Sequence, residues 1–427
     1  MKEIENQIKV VLLCHFTNAE VRNILPLSSK IKQNDFAPWI TRMIKGFEQA
    51  DNVQIHIIAP HRRLKPFIFE FVNRGIYYHF FNPHILAIRR GQKYLKRVEL
   101  WTNFFQNQLL VNRFIKRIKP DIINLIGAES PYYSSLVLNI KDIPVYVCIQ
   151  GIYSDPEGFD KNEKPMQSIV KVERKIHEQF RYFGISAPQF VSLIKRDNEN
   201  PVFLKQKYPL DFDVSVNSGI DKMYDFVYFG RVTFAKGVDK IIEAIANISA
   251  KGRRVTLNIV GGYSNEYFIY LNGLINKYKL TDQIYFTGEL PTLQDVYNEV
   301  IKSRVSVIST KSDNLPQTIF ESILLNIPVV ATNVGGIPYL NKEGKTILLS
   351  EYGDINGLAE NMMKLIDNPV YAQELTNKCK ELLSREYNTQ KIIELYIQQY
   401  KAIIDNYWNN TPIKHELLYN ENDFRQK

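Results

Sequence analysis

The chain has 427 residues, a formal net charge of +9, 45% hydrophobic residues and 12% aromatic residues. This length predicts two or three domains, and the aromatic content excludes a disordered chain. The sequence contains no run of roughly 18 consecutive apolar residues, which argues against a transmembrane helix.

The spacing of the cysteines and the character of the N-terminal residues indicate the cellular compartment of the protein. Cys14, Cys148 and Cys379 are widely spaced without a CxxC pair, so we expect neither a disulfide framework nor a structural zinc site. Met1–Gln7 has mixed charge and lacks the basic, apolar and small-residue succession of a secretory signal. We therefore expect a cytoplasmic protein. The positive charge leaves open a nucleic acid, an anionic small molecule or an anionic membrane surface as partner.

Short apolar runs alternate with helical patterns along the chain. The predicted strands are Val10–Leu13, Val53–Ala59, Ile122–Ile126, Val145–Ile149, Phe226–Phe229, Thr256–Val260, Ile284–Phe286, Val305–Ile308 and Val329–Ala331. Because these runs are apolar throughout rather than alternating, we expect parallel sheets covered on both faces by helices. An apolar stripe from Val238 to Ile248, closed by Lys251-Gly252, indicates one such helix. The alternation predicts doubly wound α/β layers.

The predicted strands fall into two sets. The first set ends near Phe190–Leu193, and the polar segment Arg196–Asp225 after it has the composition of a connector. We therefore predict two Rossmann-like domains, residues 1–200 and 201–390, with ligands at the carboxyl ends of the strands. Residues 391–427 are predicted to form a C-terminal helix and a tail that pack back toward the first domain.

Two cations follow the predicted strand Phe226–Phe229. After Gly230, Arg231 and Lys236 lie in a loop that leads into the helix beginning near Val238. Permanent cations at the carboxyl end of a strand, next to a helix N-terminus, form a site for a polyanion such as a diphosphate. Two solvated basic residues in a loop are the alternative interpretation, and this segment alone favours the alternative.

An acidic segment follows the predicted strand Val305–Ile308. Pro316 suits the first turn of a helix that runs to Leu325, with Asp313 before the helix and Glu321 on its second turn. Burying Glu321 among apolar neighbours is costly without a partner. Both carboxylates could accept hydrogen bonds from sugar hydroxyls, or they could be an N-capping Asp and a surface Glu. Further on, the double-glycine loop after Val329–Ala331 by itself indicates a tight turn.

Taken in order, these segments resemble the retaining nucleotide-sugar glycosyltransferases of family 4, which have the two-domain GT-B architecture. The resemblance extends from Asn217 to about Pro369. The matching segments are Val216–Asp221, Gly230–Gly237, Val260–Gly262, Phe286–Gly288, the acidic pair Asp313 and Glu321, and Pro328–Gly336. The resemblance implies an α/β fold of two doubly wound Rossmann-like domains facing a cleft, with a C-terminal helix that crosses back.

The resemblance also implies roles for individual residues. Arg231, Lys236 and Asp313 would be catalytic, the two cations by holding the leaving diphosphate and Asp313 by contacting the transferred sugar. Glu321 would bind the ribose hydroxyls. Further donor contacts are implied for Gly230, Thr287, Gly288, Glu289, Leu290, Asn314, Leu315, Pro316, Gln317 and Thr318. Asp313 stands where the family has Glu, and Leu315-Pro316 replaces Phe-Gly, which removes one backbone N–H group.

The N-terminal half resembles the family more loosely. Asn124 and Ile126 occupy the positions of a His-x-His pattern that many members carry, and Gln150-Gly151 occupies those of a His-Gly pair. His15 ends the first predicted strand and is either an acceptor contact or a structural histidine. The candidate contacts to acceptor or sugar are His15, Glu129, Gln150 and Gly151.

The resemblance implies neither a metal nor another cofactor. Two cations and a helix N-terminus can stabilise the charge that develops on a leaving diphosphate. Asp211-Phe212-Asp213 is the only Asp-x-Asp spacing in the sequence, and it lies in the predicted connector. Retention could proceed by attack on the face that the phosphate leaves, with the leaving phosphate taking the acceptor's proton.

A basic stretch with interleaved aromatic residues runs from Arg89 to Lys119 and predicts one or two amphipathic helices. One interpretation is an ordinary helix of the first domain with a solvated basic face. The other is peripheral docking to the inner face of an anionic membrane that carries a lipid-linked acceptor. No nucleic-acid-binding module is recognisable, so we do not expect a nucleic acid as partner.

The predicted function is transfer of a sugar from a nucleoside diphosphate donor, with UDP expected, to a glycan or lipid-linked acceptor in surface polysaccharide biosynthesis. Two alternatives stay open. One is a nucleotide-sugar-binding protein with impaired catalysis, which the missing histidine of the first domain motivates. The other is a UDP-sugar epimerase of the same architecture.

Overall fold

The computed structural model describes residues 7–15, 21, 23–27, 38–61, 63–83, 104–155, 167–212 and 219–424. The chain divides into two compact units. The first contains the described residues as far as Leu210 together with Tyr387–Asn420. The second contains Asp211–Glu386 and the described residues from Glu421 onward. Each unit is built around its own sheet.

The first unit is built on an eight-stranded sheet. Its strands are β1 (Ile8–Cys14), β2 (Val53–Pro60), β3 (Ile68–Asn73), β4 (Ile76–Phe81), β5 (Ile122–Ile126), β6 (Val145–Cys148), β7 (Tyr182–Ile185) and β8 (Val202–Lys205). Its helices before residue 210 include α1 (Pro38–Phe47), α2 (Phe105–Ile118), α3 (Pro131–Ser134), α4 (Gln167–Gln179) and α5 (Gln189–Asp197). The strand order is β3-β4-β2-β1-β5-β6-β7-β8, and β3 alone of these strands runs antiparallel to its neighbour.

Two predictions for this unit are wrong. Phe190–Leu193 lies in α5 and not in a strand, because Phe190, Val191 and Ile194 form one buried helix face. The predicted connector Arg196–Asp225 contains β8, which pairs in parallel with β7. Most of β8 is only half-buried at the edge of the sheet, and its apolar run, Val202–Leu204, is only three residues long.

The second unit is built on a six-stranded parallel sheet. Its strands are β9 (Tyr224–Phe229), β10 (Leu257–Val260), β11 (Ile284–Gly288), β12 (Ser303–Ile308), β13 (Val329–Thr332) and β14 (Leu348–Ser350). Its helices include α6 (Val238–Ala250), α7 (Asn265–Tyr278), α8 (Leu293–Val300), α9 (Gln317–Leu324), α10 (Ile355–Asp367) and α11 (Pro369–Glu386). The order is β11-β10-β9-β12-β13-β14. The direction of the winding therefore reverses between β9 and β12, and such a switch point opens a crevice at the carboxyl ends of the two strands.

The C-terminal helix α12 (Thr389–Asn409) belongs to the first unit. The side chain of Asn388 caps its N-terminus by accepting a hydrogen bond from the Lys391 N–H at 3.2 Å. The Tyr400 hydroxyl of α12 donates to Asn124 Oδ1 in β5 at 2.9 Å, and both residues are fully buried. Beyond the helix, the Tyr419 N–H donates to the Phe203 carbonyl in β8 at 2.9 Å. The helix and the segment after it therefore pack on the first sheet. None of the described helices is long and apolar enough to cross a membrane.

The buried Tyr400–Asn124 hydrogen bond leads to a stability prediction. Tyr400→Phe should lower the free energy of unfolding by about 1–3 kcal/mol, because it leaves the buried Asn124 oxygen without this donor. Tyr407→Phe is the matched control, since the Tyr407 hydroxyl binds the Lys141 carbonyl at an exposed position of the same helix. The control should change stability by less than about 0.5 kcal/mol. Urea denaturation measures both, and equal losses would contradict the prediction.

Candidate functional site

The loops that follow neighbouring strands of the second sheet meet at its carboxyl edge. Backbone hydrogen bonds join them: Gly230 N, Gly261 N and Gly336 N donate to the carbonyls of Val260, Gly288 and Asn314 at 3.0, 2.8 and 2.5 Å. The loops after β9 to β13 therefore form one connected surface. This surface includes the switch point between β9 and β12.

Two glycines allow these loops to approach one another. Gly261 has φ +141°, and a Cβ there would lie 1.9 Å from the Gly230 carbonyl oxygen. Gly237 has φ +64°, and a Cβ there would lie 2.1 Å from the Ser309 carbonyl oxygen. Both positions combine a left-handed backbone with a contact that no side chain could share. The close approach of the loops thus depends on these two residues.

Lys236 and Asp313 form an ion pair at the switch point. Lys236 ends a short 3₁₀ turn after β9, Asp313 lies in the loop after β12, and Lys236 Nζ contacts Asp313 Oδ2. The two side chains are 27% and 17% exposed, so solvent reaches the pair only partly. The Ser309 hydroxyl donates to the Gly237 carbonyl at 2.6 Å and holds the two loops together beside the pair. The predicted diphosphate cation and the predicted sugar carboxylate are therefore neighbours in space.

The backbone of Arg231 is anchored while the residue itself is exposed. The Tyr228 hydroxyl donates to the Arg231 carbonyl at 2.6 Å. Burial raises the pKa of Tyr228 far above its usual range, and the nearby Asp313 carboxylate raises it further while Arg231 opposes the shift. Tyr228 therefore stays a neutral hydrogen-bond donor that supports the cationic loop. The sequence reasoning missed this residue because an aromatic residue in a buried strand is indistinguishable from an ordinary core residue.

Helix α9 begins against the loop that contains Gly230. Pro316 precedes its first residue, and the Pro316 carbonyl accepts a hydrogen bond from the Ile319 N–H at 3.1 Å. Thr318 Cγ2 lies 3.8 Å from the position that a Cβ on Gly230 would take. Glu321, on the second turn, is only 7% exposed, so the interpretation as a surface glutamate is wrong. The N-capping position belongs to Pro316, and Asp313 is paired with Lys236 instead.

The loop after β11 contributes a further group of predicted residues. The Thr287 hydroxyl donates to Asn258 Oδ1 at 2.8 Å, so it ties the end of β11 to β10. Glu289 is exposed, and its Oε2 lies 3.3 Å from the position that a Cβ on Gly262 would take. Leu290 packs against the small apolar cluster around Val227. The exposed part of this loop is therefore Glu289, directly beside the loop after β10.

The candidate residues of the first unit have different surroundings. His15 directly follows β1 and is exposed. Gln150 follows β6, where its Oε1 accepts a hydrogen bond from Trp39 Nε1 at 3.1 Å and its Nε2 donates to the Tyr208 hydroxyl at 2.9 Å. Gly151 comes next and is half-buried. The Gln150 amide is thus held from both ends within the unit, which fixes the start of this loop.

Asn124, which takes the position of a family histidine, is a buried structural residue. Its Nδ2 donates to the Tyr146 carbonyl at 3.0 Å and lies 3.1 Å from Cys148 Sγ, while its Oδ1 accepts from Tyr400. All its described contacts lie within the core of the first unit, so Asn124 cannot replace a substrate-binding histidine.

Two glutamates lie close to the loops after β5 and β6. Burial raises the pKa of Glu129 to about 7; an interaction with its own backbone opposes this shift, and the charge of Glu173 adds to it. Glu173 in α4 is fully buried and accepts hydrogen bonds from the Tyr153 and Ser154 N–H groups at 2.7 and 3.0 Å. Glu173 therefore holds the loop that follows Gln150. The sequence reasoning missed it because a glutamate among Lys and Arg in a helix resembles a surface residue.

The described part of the basic stretch forms α2, and residues 84–103 lie outside the described residues. Val111, Phe114 and Ile118 bury one face of α2 in the core of the unit. The opposite face carries exposed Phe105 and Leu109, each 56% exposed, followed by exposed Arg113 and Lys116. The helix is thus an ordinary packed element whose free face combines apolar and basic side chains.

Two further sequence predictions concern metals and a boundary signature. Within the described ranges, no group of three or more His, Cys, Asp and Glu side chains is arranged to hold a metal ion. The three cysteines are buried free thiols. Val216–Ser218, the first part of the predicted boundary signature, lies outside the described residues.

Comparison with known proteins gives the family of the second unit. Residues 214–382 match the family model described as Glycosyl transferases group 1. This segment belongs to the group 1 glycosyltransferase family. The recognition made from the sequence motifs is confirmed at this level, while the narrower assignment to family 4 stays a prediction.

Curated relatives match the chain over part of its length. N-acetyl-alpha-D-glucosaminyl L-malate synthase of Bacillus anthracis is 22% identical over 179 residues, 42% of this chain and 45% of that protein. Poly(ribitol-phosphate) alpha-N-acetylglucosaminyltransferase of Staphylococcus aureus (strain COL) is 23% identical over 294 residues, 64% of this chain and 58% of that protein. The chain spans about half the length of the curated relatives it matches.

Solved structures resemble the chain over nearly its whole length. Sucrose-phosphate synthase from Thermosynechococcus elongatus superposes with a TM-score of 0.70 at 15% identity, covering 92% of this chain and 98% of that one. HepE of Anabaena, in complex with UDP and glucose, superposes with a TM-score of 0.63 at 14% identity, covering 92% and 100%. The likeness confirms the predicted GT-B fold with its two Rossmann-like units.

Proposed function

We propose that this chain is a retaining glycosyltransferase that moves a sugar from a UDP-sugar to a glycan or lipid-linked acceptor in surface polysaccharide biosynthesis. The observation that carries the proposal is the Lys236–Asp313 pair at the switch point of the second sheet. Arg231 and the first turn of α9 belong to the same connected loops. Cations and a helix N-terminus at such a crevice suit a diphosphate.

In the proposed donor complex, each loop contacts a different part of the nucleotide sugar. Lys236 and Arg231 hold the diphosphate, and Lys236 exchanges its contact with Asp313 for the phosphate oxygens. Asp313 then accepts hydrogen bonds from the sugar, the buried Glu321 carboxylate binds the ribose, and Thr287–Leu290 lie against the base. Bond cleavage leaves negative charge on the β-phosphate, and the two cations and the start of α9 stabilise it without a metal.

The choice of UDP and of a surface polysaccharide rests on similar proteins. HepE was crystallised with UDP and glucose, and its fold covers 92% of this chain. Partial relatives include the capsular polysaccharide biosynthesis glycosyltransferase CapM of Staphylococcus aureus and the poly(ribitol-phosphate) transferase described above. We place the acceptor on the first unit, against His15, Glu129 and the loop that starts at Gln150. Same-face attack, which retains the anomeric configuration, follows from the resemblance to family 4.

A binding experiment followed by a transfer assay tests this function. Thermal shift with a panel of UDP-, GDP- and ADP-sugars should give one clear rise in melting temperature, because a donor at 100 times its Kd stabilises the fold by about 2.7 kcal/mol. The stabilising donor should then release its nucleotide when acceptor oligosaccharides are added. Arg231→Ala should weaken both responses. A panel without any stabilising nucleotide sugar would contradict the proposed donor site.

One observation favours a second function, that of a nucleotide-sugar-binding protein without transfer. Asn124 stands in place of the family's histidine, and its side chain is hydrogen-bonded within the core of the first unit. If the wild-type chain binds a donor tightly but neither transfers nor hydrolyses it, and Arg231→Ala loses only the binding, the binding function is correct. Turnover by the wild type excludes it.

We further propose that the free face of α2 contacts an anionic membrane at the cytoplasmic side. Phe105 and Leu109 would insert into the lipid interface while Arg113 and Lys116 meet anionic head groups. Phe105→Ser combined with Leu109→Ser should weaken binding to vesicles of phosphatidylglycerol by about tenfold, because less apolar area is buried. Ile269→Ser removes an even more exposed apolar side chain from α7 and is the control. Equal binding of both variants in vesicle sedimentation would contradict this contact.

A further inference from the structure

A cavity of about 570 Å³ lies at the amino-terminal edge of the first sheet, within the first unit alone. Its lining comes from the start of β1, the segment between α2 and β5, and the last part of α12, and includes Lys9, Lys119, Asp121, Lys401, Asp405 and Trp408. Small-molecule sites have volumes of about 300–1,000 Å³, so this cavity has room for a ligand. The seven residues of β1 separate it by roughly 20 Å from His15 at the other end of that strand.

Three lysines from separate elements converge on this cavity. Lys9 belongs to β1, Lys119 follows the last residue of α2, and Lys401 lies in α12. All three are exposed, and none of them forms an ion pair with another described residue. Cations that line a concave surface together raise the positive potential inside it. The cavity therefore attracts a ligand that carries negative charge.

Trp408 gives the same cavity an exposed aromatic surface. Its side chain lies on the last turn of α12 and is 60% exposed. The rings of Tyr407 and Trp408 are perpendicular, with their centroids 4.9 Å apart, and the Tyr407 hydroxyl donates to the Lys141 carbonyl at 2.8 Å. The indole is thus supported from one side and open to solvent on the other. The C–H groups of a sugar ring can pack on the negative face of such a ring.

The carboxylates of the cavity favour one class of anion over others. Asp121 Oδ2 accepts a hydrogen bond from the Lys9 N–H at 2.8 Å, and Asp405 Oδ1 accepts one from Asn409 Nδ2 at 2.7 Å. Hydrogen bonds from Asn409 and Thr411 lower the pKa of Asp405, so this group is ionised at neutral pH. Two carboxylates beside three ammonium groups disfavour a densely charged polyanion, while carboxylate oxygens accept further hydrogen bonds from hydroxyl groups. This combination suits a polyhydroxylated ligand whose negative charges are widely spaced.

We propose that this cavity binds an acidic saccharide, with one sugar ring on Trp408 and a carboxylate of the saccharide beside the lysines. Hydroxyl groups of the saccharide donate to Asp121 and Asp405. The site goes beyond the proposed function and does not depend on it, because it uses none of the residues assigned to the donor or to the acceptor. Its ligand class follows from the cations, the indole and the carboxylates of one unit.

Isothermal titration calorimetry of the full chain with hexamers of galacturonic acid and of glucuronic acid tests the site. At least one hexamer should bind the wild type, and Trp408→Ala should weaken that binding by about tenfold, because the stacking surface is lost. Lys401→Ala should weaken it by about threefold, as expected for one exposed cation. Lys175→Ala removes an exposed lysine from α4 of the same unit and should bind as the wild type does.

Lys119→Gly separates binding from folding. Lys119 has φ +52°, a left-handed conformation that glycine adopts without strain. The variant should therefore keep the melting temperature of the wild type while it binds the acidic hexamer about threefold more weakly. Wild-type affinity in both Lys119→Gly and Trp408→Ala would overturn the proposal, as would a wild type that binds neither hexamer.

Ligands of matched size distinguish a saccharide from other anions. Neutral maltohexaose should bind about tenfold more weakly than the acidic hexamer, because it has no charge for the three lysines. A single-stranded thymidine hexanucleotide of similar charge should also bind more weakly. Equal or tighter binding of the hexanucleotide would assign the cavity to nucleic acid, and equal binding of maltohexaose would remove the role of the lysines. Either result would overturn the proposal.

Two further measurements keep this site separate from the membrane and the donor. Trp408→Ala should sediment with phosphatidylglycerol vesicles as the wild type does; a loss of vesicle binding without saccharide binding would assign the indole to a membrane and overturn the proposal. Trp408→Ala should also show the wild-type rise in melting temperature with the stabilising nucleotide sugar. A wild type that binds an acidic hexamer but no nucleotide sugar would contradict the proposed function and leave this inference standing.

Discussion

Lys236→Ala is expected to lower kcat/KM for transfer by about 10³-fold and to weaken donor binding clearly. The Lys236 ammonium would hold the diphosphate when it is bound and stabilise the additional charge that develops as the sugar leaves. A charged or hydrogen-bonding group that is directed at developing charge in a partly desolvated site typically raises kcat by about 10²–10³-fold. Lys236 is only 27% exposed and lies at the switch crevice, so water replaces its charge poorly.

Two further variants accompany Lys236→Ala: one is a control, and the other tests whether its effect comes from the unpaired Asp313 carboxylate. Lys251 is exposed at the end of α6, and Lys251→Ala should leave transfer unchanged. Removing Lys236 also leaves the Asp313 carboxylate, which is 17% exposed, without its cation. Asp313→Asn in the Lys236→Ala background relieves that charge; it should restore stability without restoring transfer. Unchanged donor affinity and rate in Lys236→Ala would contradict the diphosphate role.

The sheets could be predicted from the sequence because their central strands are buried on both faces. The predicted strand Ile122–Ile126 matches β5 in full, and Phe226–Phe229 lies within β9. The motifs after these strands were then expected at one edge of a sheet, which is where the structure places them. Sequence patterns of this kind are local, and parallel topology brings them together.

The contacts that complete the site could not be predicted in the same way. Lys236 and Asp313 are 77 residues apart, and their contact depends on the close approach of two loops at Gly237. Tyr228 and Glu173 support loops through hydrogen bonds to backbone groups, and no local pattern encodes such a bond. The edge strands β3 and β8 were also missed, since they are largely half-buried and their apolar runs are interrupted or short. The internal strand β4 was missed because His79 interrupts its apolar run.

Gly261→Ala is expected to lower the free energy of unfolding by about 4 kcal/mol or more. The added Cβ would lie 1.9 Å from the Gly230 carbonyl oxygen, and the backbone at φ +141° is unfavourable for any other residue. The clash is with backbone, so no side-chain rotation relieves it. The loops after β9 and β10 must separate, which breaks the bond from Gly230 N to the Val260 carbonyl. Changes of this size come from few mechanisms, and strain at a special backbone position is one of them.

Gly273→Ala provides a control with the opposite expected sign. Gly273 lies inside α7, and a Cβ there would meet nothing within 4 Å, so alanine should stabilise the helix by up to about 1 kcal/mol. Urea denaturation of both variants measures the difference. Even if Gly261→Ala folds, its separated loops should bind the donor more weakly, because Arg231 follows directly on Gly230. Equal stability of the two variants would show that the loops can adjust at Gly261, and the site would then not depend on this contact.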